Sequence, residues 1–187
     1  MRKLSVFNQI TLDGYFTDAK NDMRWAHGDD DPEWQEFTAG NAGSGGELLF
    51  GRVTYEMMVS YWPTPQATKD NPQVAKGMNE TPKIVFSKTL RTPSWNNTRL
   101  VNGNLASAVR ELKREAGPDM VILGSGTIVA QLAQEKLIDS YQLIVKPIVL
   151  GSGRTLFEGV KHALGLKLTQ TRAFGNGSVL LGYQLAA

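Results

Sequence analysis

The sequence predicts an α/β protein with a mostly parallel central sheet flanked by helices and with antiparallel strands at its C-terminal edge. Three observations carry that expectation. Strand-like and helix-like runs alternate along most of the chain. Met120-Val121-Ile122-Leu123 is a continuous apolar run, the pattern of a strand covered on both faces. The last two runs, Leu166–Phe174 and Val179–Leu185, alternate in polarity around Gly175-Asn176-Gly177, a hairpin signal.

Taken in order, Lys3–Ile10 reads as a first strand closed by Thr11-Leu12-Asp13-Gly14, with a polar loop running on to Asp31. Asp31-Pro32-Glu33 combines an N-cap, a proline at the first helical position and an acid in the first turn, so a helix carrying Trp34 and Phe37 follows. Glu47-Leu48-Leu49-Phe50 is a short buried strand, and Gly51-Arg52-Val53-Thr54 turns into a helix bearing Tyr55, Met58 and Val59. Trp62-Pro63-Thr64-Pro65 stops that helix. The stretch from Gln66 to Thr81 is polar and is expected to be partly mobile. Lys83–Ser87 and Arg99–Val101 are further strands. Asn104 caps a helix with the stripe Leu105, Ala108, Val109 and Leu112, which Gly117-Pro118 ends. After Met120–Leu123, Gly124-Ser125-Gly126 leads into a helix from about Thr127 to Lys136, and Tyr141–Lys146 is a strand before the final hairpin.

The chain has 187 residues, the size of one domain, and so needs no covalent staple to bury a core. It contains no cysteine, which excludes disulfide frameworks, thiolate metal sites and cysteine nucleophiles. Lys+Arg 20 against Asp+Glu 18 gives a formal charge of +2 with no basic tract, so no nucleic-acid partner is expected. The N-terminal apolar stretch is interrupted by Asn8, Gln9 and Asp13, too short and polar for a signal peptide or a membrane span. A cytoplasmic protein is the expectation. His27 and His162 are the only histidines and stand far apart, so neither a histidine metal site nor a Ser-His-Asp triad is expected.

The segment best suited to bind a ligand is Met120–Thr127. A strand runs through Gly124-Ser125-Gly126 into a helix, whose first N–H groups can take an anion where glycines let the backbone come close. It is not a Rossmann fingerprint, because Val129 stands at the third glycine position and no acid follows at the required distance. Phe50-Gly51-Arg52-Val53-Thr54 repeats the strand, glycine and helix-start order, with a guanidinium that can grip a phosphate and a hydroxyl that can cap or donate. Ser87-Lys88 ends the next apolar strand, at the carboxyl end where open α/β sheets bind ligands. Leu150-Gly151-Ser152-Gly153-Arg154 reads as a glycine turn, and Arg154 is not counted among the ligand contacts. Asp13, Glu33 and Glu36 are the candidate general acids, although Asp13-Gly14 has the form of a turn. Asp29-Asp30-Asp31 reads as solvated loop plus helix cap.

Thr11-Leu12-Asp13-Gly14-Tyr15, Leu49–Glu56, Val121–Thr127 and Pro147–Phe157 follow one another in this order. The order resembles the dihydrofolate-reductase-like superfamily, and more closely stand-alone proteins related to the C-terminal reductase domain of bacterial riboflavin biosynthesis. The resemblance implies a dihydrofolate-reductase-like fold over the whole chain, 1–187, and an NADPH-dependent reductase that passes a hydride to a C=N or C=O bond of a small pyrimidine- or pterin-like substrate. Dihydrofolate or pteridine reduction and non-catalytic NADP binding are the alternatives. By likeness, Gly51, Arg52 and Thr54 hold cofactor phosphates, Ser87 and Lys88 lie near the adenosine ribose and its 2′-phosphate, and Gly124, Ser125, Gly126 and Thr127 cradle the pyrophosphate. Asp13 and Glu36 are the catalytic candidates, and a homodimer is expected by analogy. Riboflavin reductases usually carry a lysine where this chain has Tyr15. No stretch reads as a deaminase domain, so a bifunctional riboflavin enzyme is not expected.

Overall fold

The computed structural model describes residues 1–26 and 31–186. His27, Asp29 and Asp30, read above as non-ligands in a solvated loop, lie outside those residues. The chain runs β1 (Leu4–Thr11), β2 (Tyr15–Thr17), a 3-10 turn (Arg24–Ala26), α1 (Pro32–Ala42), β3 (Glu47–Gly51), α2 (Arg52–Tyr61), α3 (Pro65–Asp70), α4 (Pro72–Glu80), β4 (Lys83–Phe86) and β5 (Thr98–Val101). It continues through α5 (Leu105–Arg114), β6 (Met120–Leu123), α6 (Gly126–Gln134), β7 (Ser140–Lys146), β8 (Arg154–Thr155), β9 (Leu166–Ala173) and β10 (Val179–Leu185).

Eight strands form one sheet in the order β5-β4-β3-β6-β1-β7-β10-β9, and β2 and β8 make a separate two-stranded ribbon. From β5 to β7 every pair is parallel, whereas β10 runs antiparallel to both β7 and β9. The predicted mixed α/β sheet with an antiparallel C-terminal edge is therefore present. Period-two alternation sends neighbouring residues to opposite faces. Leu49, Ile84 and Ile122 pack with α5 and α6 through Val109, Leu112, Val129 and Leu132. Leu48, Phe50 and Val85 face the other way, onto Tyr55, Val74 and Met78 of α2 and α4. Trp34 of α1 closes that second face over Ile144, Phe174 and Leu180.

Asp31 caps α1 as expected, its Oδ1 accepting from the N–H groups of Glu33 at 2.8 Å and Trp34 at 3.2 Å. Two expectations need correction. The stretch 66–81 is not a mobile loop but two helices, α3 and α4. Thr64 Oγ1 accepts from Ala67 N–H, Asn71 Oδ1 accepts from Val74 N–H, and each cap precedes a proline. Burial of Ala67, Val74, Ala75 and Met78 then holds the pair against the core. The supposed loop from Tyr15 to Asp31 contains β2 and the 3-10 turn. Only pairing with distant β8 makes three residues a strand, and no local pattern shows that. Smaller shifts occur at two helix ends: α5 stops at Arg114, before Gly117, and α6 begins at Gly126. Among the described residues no helix is long and apolar enough to cross a membrane.

Polar ties close the amino ends of the strands. Lys113 Nζ meets Asp139 Oδ2 at 2.6 Å, and the same carboxylate oxygen accepts from Leu4 N–H at 2.7 Å. Arg2 pairs with Glu47 beneath β3. Lys83, 1% exposed at the start of β4, straps three segments together. Its ammonium donates to the carbonyls of Asn79, Thr81 and Asn96 at 3.2, 2.6 and 3.3 Å and lies 4.5 Å from the Trp95 ring centre.

Burial pushes the Lys83 ammonium down from 10.5 to about 8. Between those values the unfolded chain binds one more proton than the folded one, so stability rises with pH across that window. Urea unfolding from pH 7.5 to 10.5 should show a gain of up to about 3 kcal/mol that is missing in Lys83→Met. Equal slopes for the two proteins would remove Lys83 from this role.

Candidate functional site

Parallel strands place all their carboxyl ends on one edge of the sheet, and each following helix starts there. Along that edge lies a cavity of about 500 Å³. Gly51, Arg52 and Thr54 line it from the β3–α2 turn, Ser87 and Lys88 from the end of β4, and Gly124, Ser125, Gly126 and Thr127 from the β6–α6 turn. All nine residues singled out in the sequence for cofactor contact thus share one cavity. Gly103 and Asn104 add the start of α5, while Phe16, Thr17 and Arg154 line it from the β2–β8 ribbon.

The two central helix starts are bonded to each other. Gly51 N–H donates to Ser125 Oγ at 2.9 Å, and that hydroxyl donates to Leu123 carbonyl oxygen at 3.1 Å. In return Ser125 N–H donates to Thr54 Oγ1 at 3.0 Å. Thr54 therefore does not cap its own helix; it anchors the neighbouring turn. This arrangement requires backbone in the left-handed region at Gly124 (φ 58°) and Ser125 (φ 57°). A Cβ at Gly124 would stand 2.9 Å from Thr54 Cγ2, so only glycine lets the turns approach this closely. From beneath, the buried amide of Asn8 donates to the Gly124 carbonyl at 3.1 Å.

The first helical bond of α6 is from Ile128 N–H to Ser125 carbonyl, which leaves the N–H groups of Gly126 and Thr127 directed at the cavity edge. Positive ends of helix dipoles and close-approaching backbone suit a phosphate group. Arg52, Lys88 and Arg154 line the cavity, and no aspartate or glutamate is among its described lining residues. Arg52 pairs with Glu56 at 2.7 Å and Arg154 with Glu158 at 3.4 Å, both carboxylates lying outside the lining. Thr17 Oγ1 is buried without a hydrogen-bond partner, a polar atom that a bound group could satisfy. The donor set and the glycine cradle fit an elongated, phosphate-bearing ligand.

The carboxylates named as candidate acids stand elsewhere. Asp13 accepts from Gly151 N–H at 2.7 Å, from Leu150 N–H at 3.2 Å and from the Thr11 hydroxyl, so it clamps the first turn to the 150–153 loop. The Thr11 hydroxyl, and after it those N–H groups, outweigh desolvation and hold its carboxyl below the usual carboxylate range. Glu33 is paired with Arg172 of β9 at 2.6 Å, and Glu36 is exposed on α1. None of the three lines the cavity. Ser87 Oγ accepts from Thr89 and Leu90 N–H groups and so shapes the turn that carries Lys88. Sequence reasoning missed Phe16, Thr17 and Arg154. The one signal for Arg154 was its glycine turn, which says nothing about the wall it faces.

Ser125→Ala should leave Gly51 N–H without its acceptor and cost about 1–3 kcal/mol in urea unfolding. An unchanged unfolding midpoint would mean that the cross-tie is not made.

The family model of the RibD C-terminal domain matches residues 2–180. The uncharacterized protein YyaP of Bacillus subtilis (strain 168) is 27% identical over 182 residues, 97% of this chain and 94% of that protein. Among solved structures, the putative riboflavin biosynthesis protein from Shewanella sp. PV-4 is similar with a TM-score of 0.76 at 21% identity, covering 99% of both chains. Dihydrofolate reductase from Enterococcus faecalis, complexed with NADP(H), gives 0.66 at 13% identity, covering 99% of this chain and 97% of that one. The resemblance read from four motifs thus extends to nearly the whole chain. With its dihydrofolate-reductase-like fold, the chain belongs to the RibD C-terminal domain family.

Proposed function

We propose that this protein is an NADPH-dependent reductase that delivers a hydride to a C=N or C=O carbon of a small heterocycle of pyrimidine or pterin type. The observation that carries this reading is the cavity running across the strand ends, whose described lining holds three cations and no carboxylate. It extends from residues following β5 to those following β1, which are five adjacent strands in the sheet. At about 4.8 Å per strand gap, the span is roughly 19 Å, the reach of an extended dinucleotide. Family membership and the NADP(H) in the Enterococcus faecalis structure support the same cofactor.

In this reading Lys88 and Arg52 bind phosphate, and the N–H groups of Gly126 and Thr127 hold the pyrophosphate against the start of α6. The reducing hydride is what the dinucleotide supplies when bound. Phe16 and Thr17 border the groove from the β2–β8 ribbon, where Phe16 packs against the start of α6 and excludes water and Thr17 Oγ1 offers a hydrogen bond. Asp13 positions the 150–153 loop, and Glu36 reaches a substrate only through solvent. Tyr15 in place of the lysine usual in riboflavin reductases favours a substrate other than their phosphoribosyl-pyrimidine. The pairing of Glu33 with Arg172 argues against a pterin held by that carboxylate.

A homodimer acting in the cytoplasm on a small molecule, without nucleic acid or membrane, completes the proposal. The edge strand β9 is exposed along its whole length, with Leu168 half-exposed, and is the surface for a second copy. Solution mass should be twice the chain mass of 20.5 kDa, and a monomer at micromolar concentration would rule the dimer out.

Titration by tryptophan fluorescence and calorimetry should give tight NADPH binding and weaker NADH binding. Arg52→Ala and Lys88→Ala should each weaken NADPH by about 10- to 100-fold, the range of a charged hydrogen bond. No NADPH binding by the unaltered protein would end the reductase reading. Turnover against dihydrofolate, dihydropterins and riboflavin intermediates then identifies the substrate class. Tight binding without turnover on any of them would mark a non-catalytic NADP-binding protein.

A further inference from the structure

Arg154 lines the same cavity as Arg52, and its backbone is held in three ways. It pairs with Thr17 across the β2–β8 ribbon. Asp13 fixes Leu150 and Gly151 just before it. Gly153 lies so close to β2 that a Cβ there would collide with the Thr17 carbonyl oxygen. The guanidinium itself is partly exposed and stands 6.0 Å from the centre of the Phe16 ring. The edge of that ring touches the first residue of α6, since a Cβ at Gly126 would lie 2.7 Å from its Cε1 and Cζ. The Arg154 cation and the helix start that offers the N–H donors therefore both lie against one ring.

The two arginines of the cavity share one arrangement. Each is paired with a glutamate four residues further along the chain, Arg52 with Glu56 and Arg154 with Glu158. Both pairs are solvent-exposed, and such pairs are weak enough for a better anion to displace the carboxylate. A diphosphate is a better anion: it carries two charges and presents oxygens to which a guanidinium donates two hydrogen bonds.

We propose that Arg154 is the second arginine of a clamp on the diphosphate of the bound dinucleotide, exchanging Glu158 for a phosphate oxygen from the β2–β8 ribbon while Arg52 grips from the start of α2. The proposal rests on the dinucleotide reading above and adds to it a residue on the β2–β8 ribbon. It makes that ribbon part of the binding site, with the turn fixed by Asp13 as its support. Arg154 binds and orients the diphosphate through charge-assisted hydrogen bonds.

The test is a calorimetric titration of the full chain and its Arg154→Ala, Arg154→Lys and Glu158→Gln variants with NADPH, ADP and 2′-AMP. The last of these carries the 2′-phosphate but no diphosphate. Arg154→Ala should weaken NADPH and ADP about 10- to 100-fold and leave 2′-AMP unchanged. Arg154→Lys, which keeps the charge and the exposed stem but loses the fork, should fall between. Glu158→Gln, which removes the competing carboxylate, should bind NADPH about two- to fivefold more tightly. NADPH affinity unchanged in Arg154→Ala overturns the clamp, and so does an equal loss for 2′-AMP. Unchanged or weaker binding by Glu158→Gln overturns the exchange. If the unaltered protein binds ADP but not NADPH, the reductase reading fails, and the ADP response of Arg154→Ala alone decides the clamp. Binding of neither overturns both.

Discussion

Parallel pairing of β3, β6 and β1 is the constraint on which the remainder of the molecule depends. Parallel neighbours need crossover helices, and their carboxyl ends all emerge at one edge. The starts of α2, α5 and α6 are brought to that edge with N–H groups that no helical bond can satisfy. An anion-attracting rim is thus a consequence of the sheet's direction before any charged side chain is counted. Arg52, Lys88 and Arg154 add to a field whose sign the backbone has already set.

Concentrating several helix starts in one place also needs restraint, and the restraint is polar and reciprocal. Ser125 and Thr54 exchange bonds across the β3 and β6 turns, so neither turn can move alone. Two consecutive left-handed residues, Gly124 and Ser125, are the conformational cost of that contact. At the opposite end of the strands the residues are different. Lys113–Asp139 and Arg2–Glu47 close the amino ends with ion pairs. Lys83 braces the β4 end of the sheet with carbonyls alone and no carboxylate. Rigid charge pairing is kept away from the rim, where the arginines have only exposed partners.

The β2–β8 ribbon shows how a small element can matter more than its length. Of its five residues in two strands, Phe16, Thr17 and Arg154 line the cavity. They stay in place because Asp13 grips the 150–153 loop and Gly153 allows contact with β2. Asp13, read from sequence as turn or acid, performs the turn's work at long range. Glu33 likewise spends its charge on Arg172, joining α1 to the edge strand. Asp13 and Glu33 thus hold the scaffold, and the described charges on the cavity lining are the cations Arg52, Lys88 and Arg154, set among hydroxyls, glycines and apolar side chains.

Local sequence was enough for the eight strands of the main sheet, for α1, α2, α5 and α6, for the parallel-to-antiparallel switch, and for nine residues at the ends of β3, β4 and β6 that line the cavity. These features are written in local signals: apolar runs, glycines before helix starts, and capping residues ahead of prolines. Even α3 and α4 had such caps in Thr64-Pro65 and Asn71-Pro72, but their few apolar residues are scattered in a polar stretch and give periodicity little weight. Long-range contacts alone set the ribbon's part in the cavity and the employment of the carboxylates. Thr17 and Arg154 are 137 positions apart in the chain and meet through backbone pairing. Asp13 finds Gly151 at comparable separation. Contacts of that kind depend on how the sheet brings remote loops together, and no spacing within either segment encodes them.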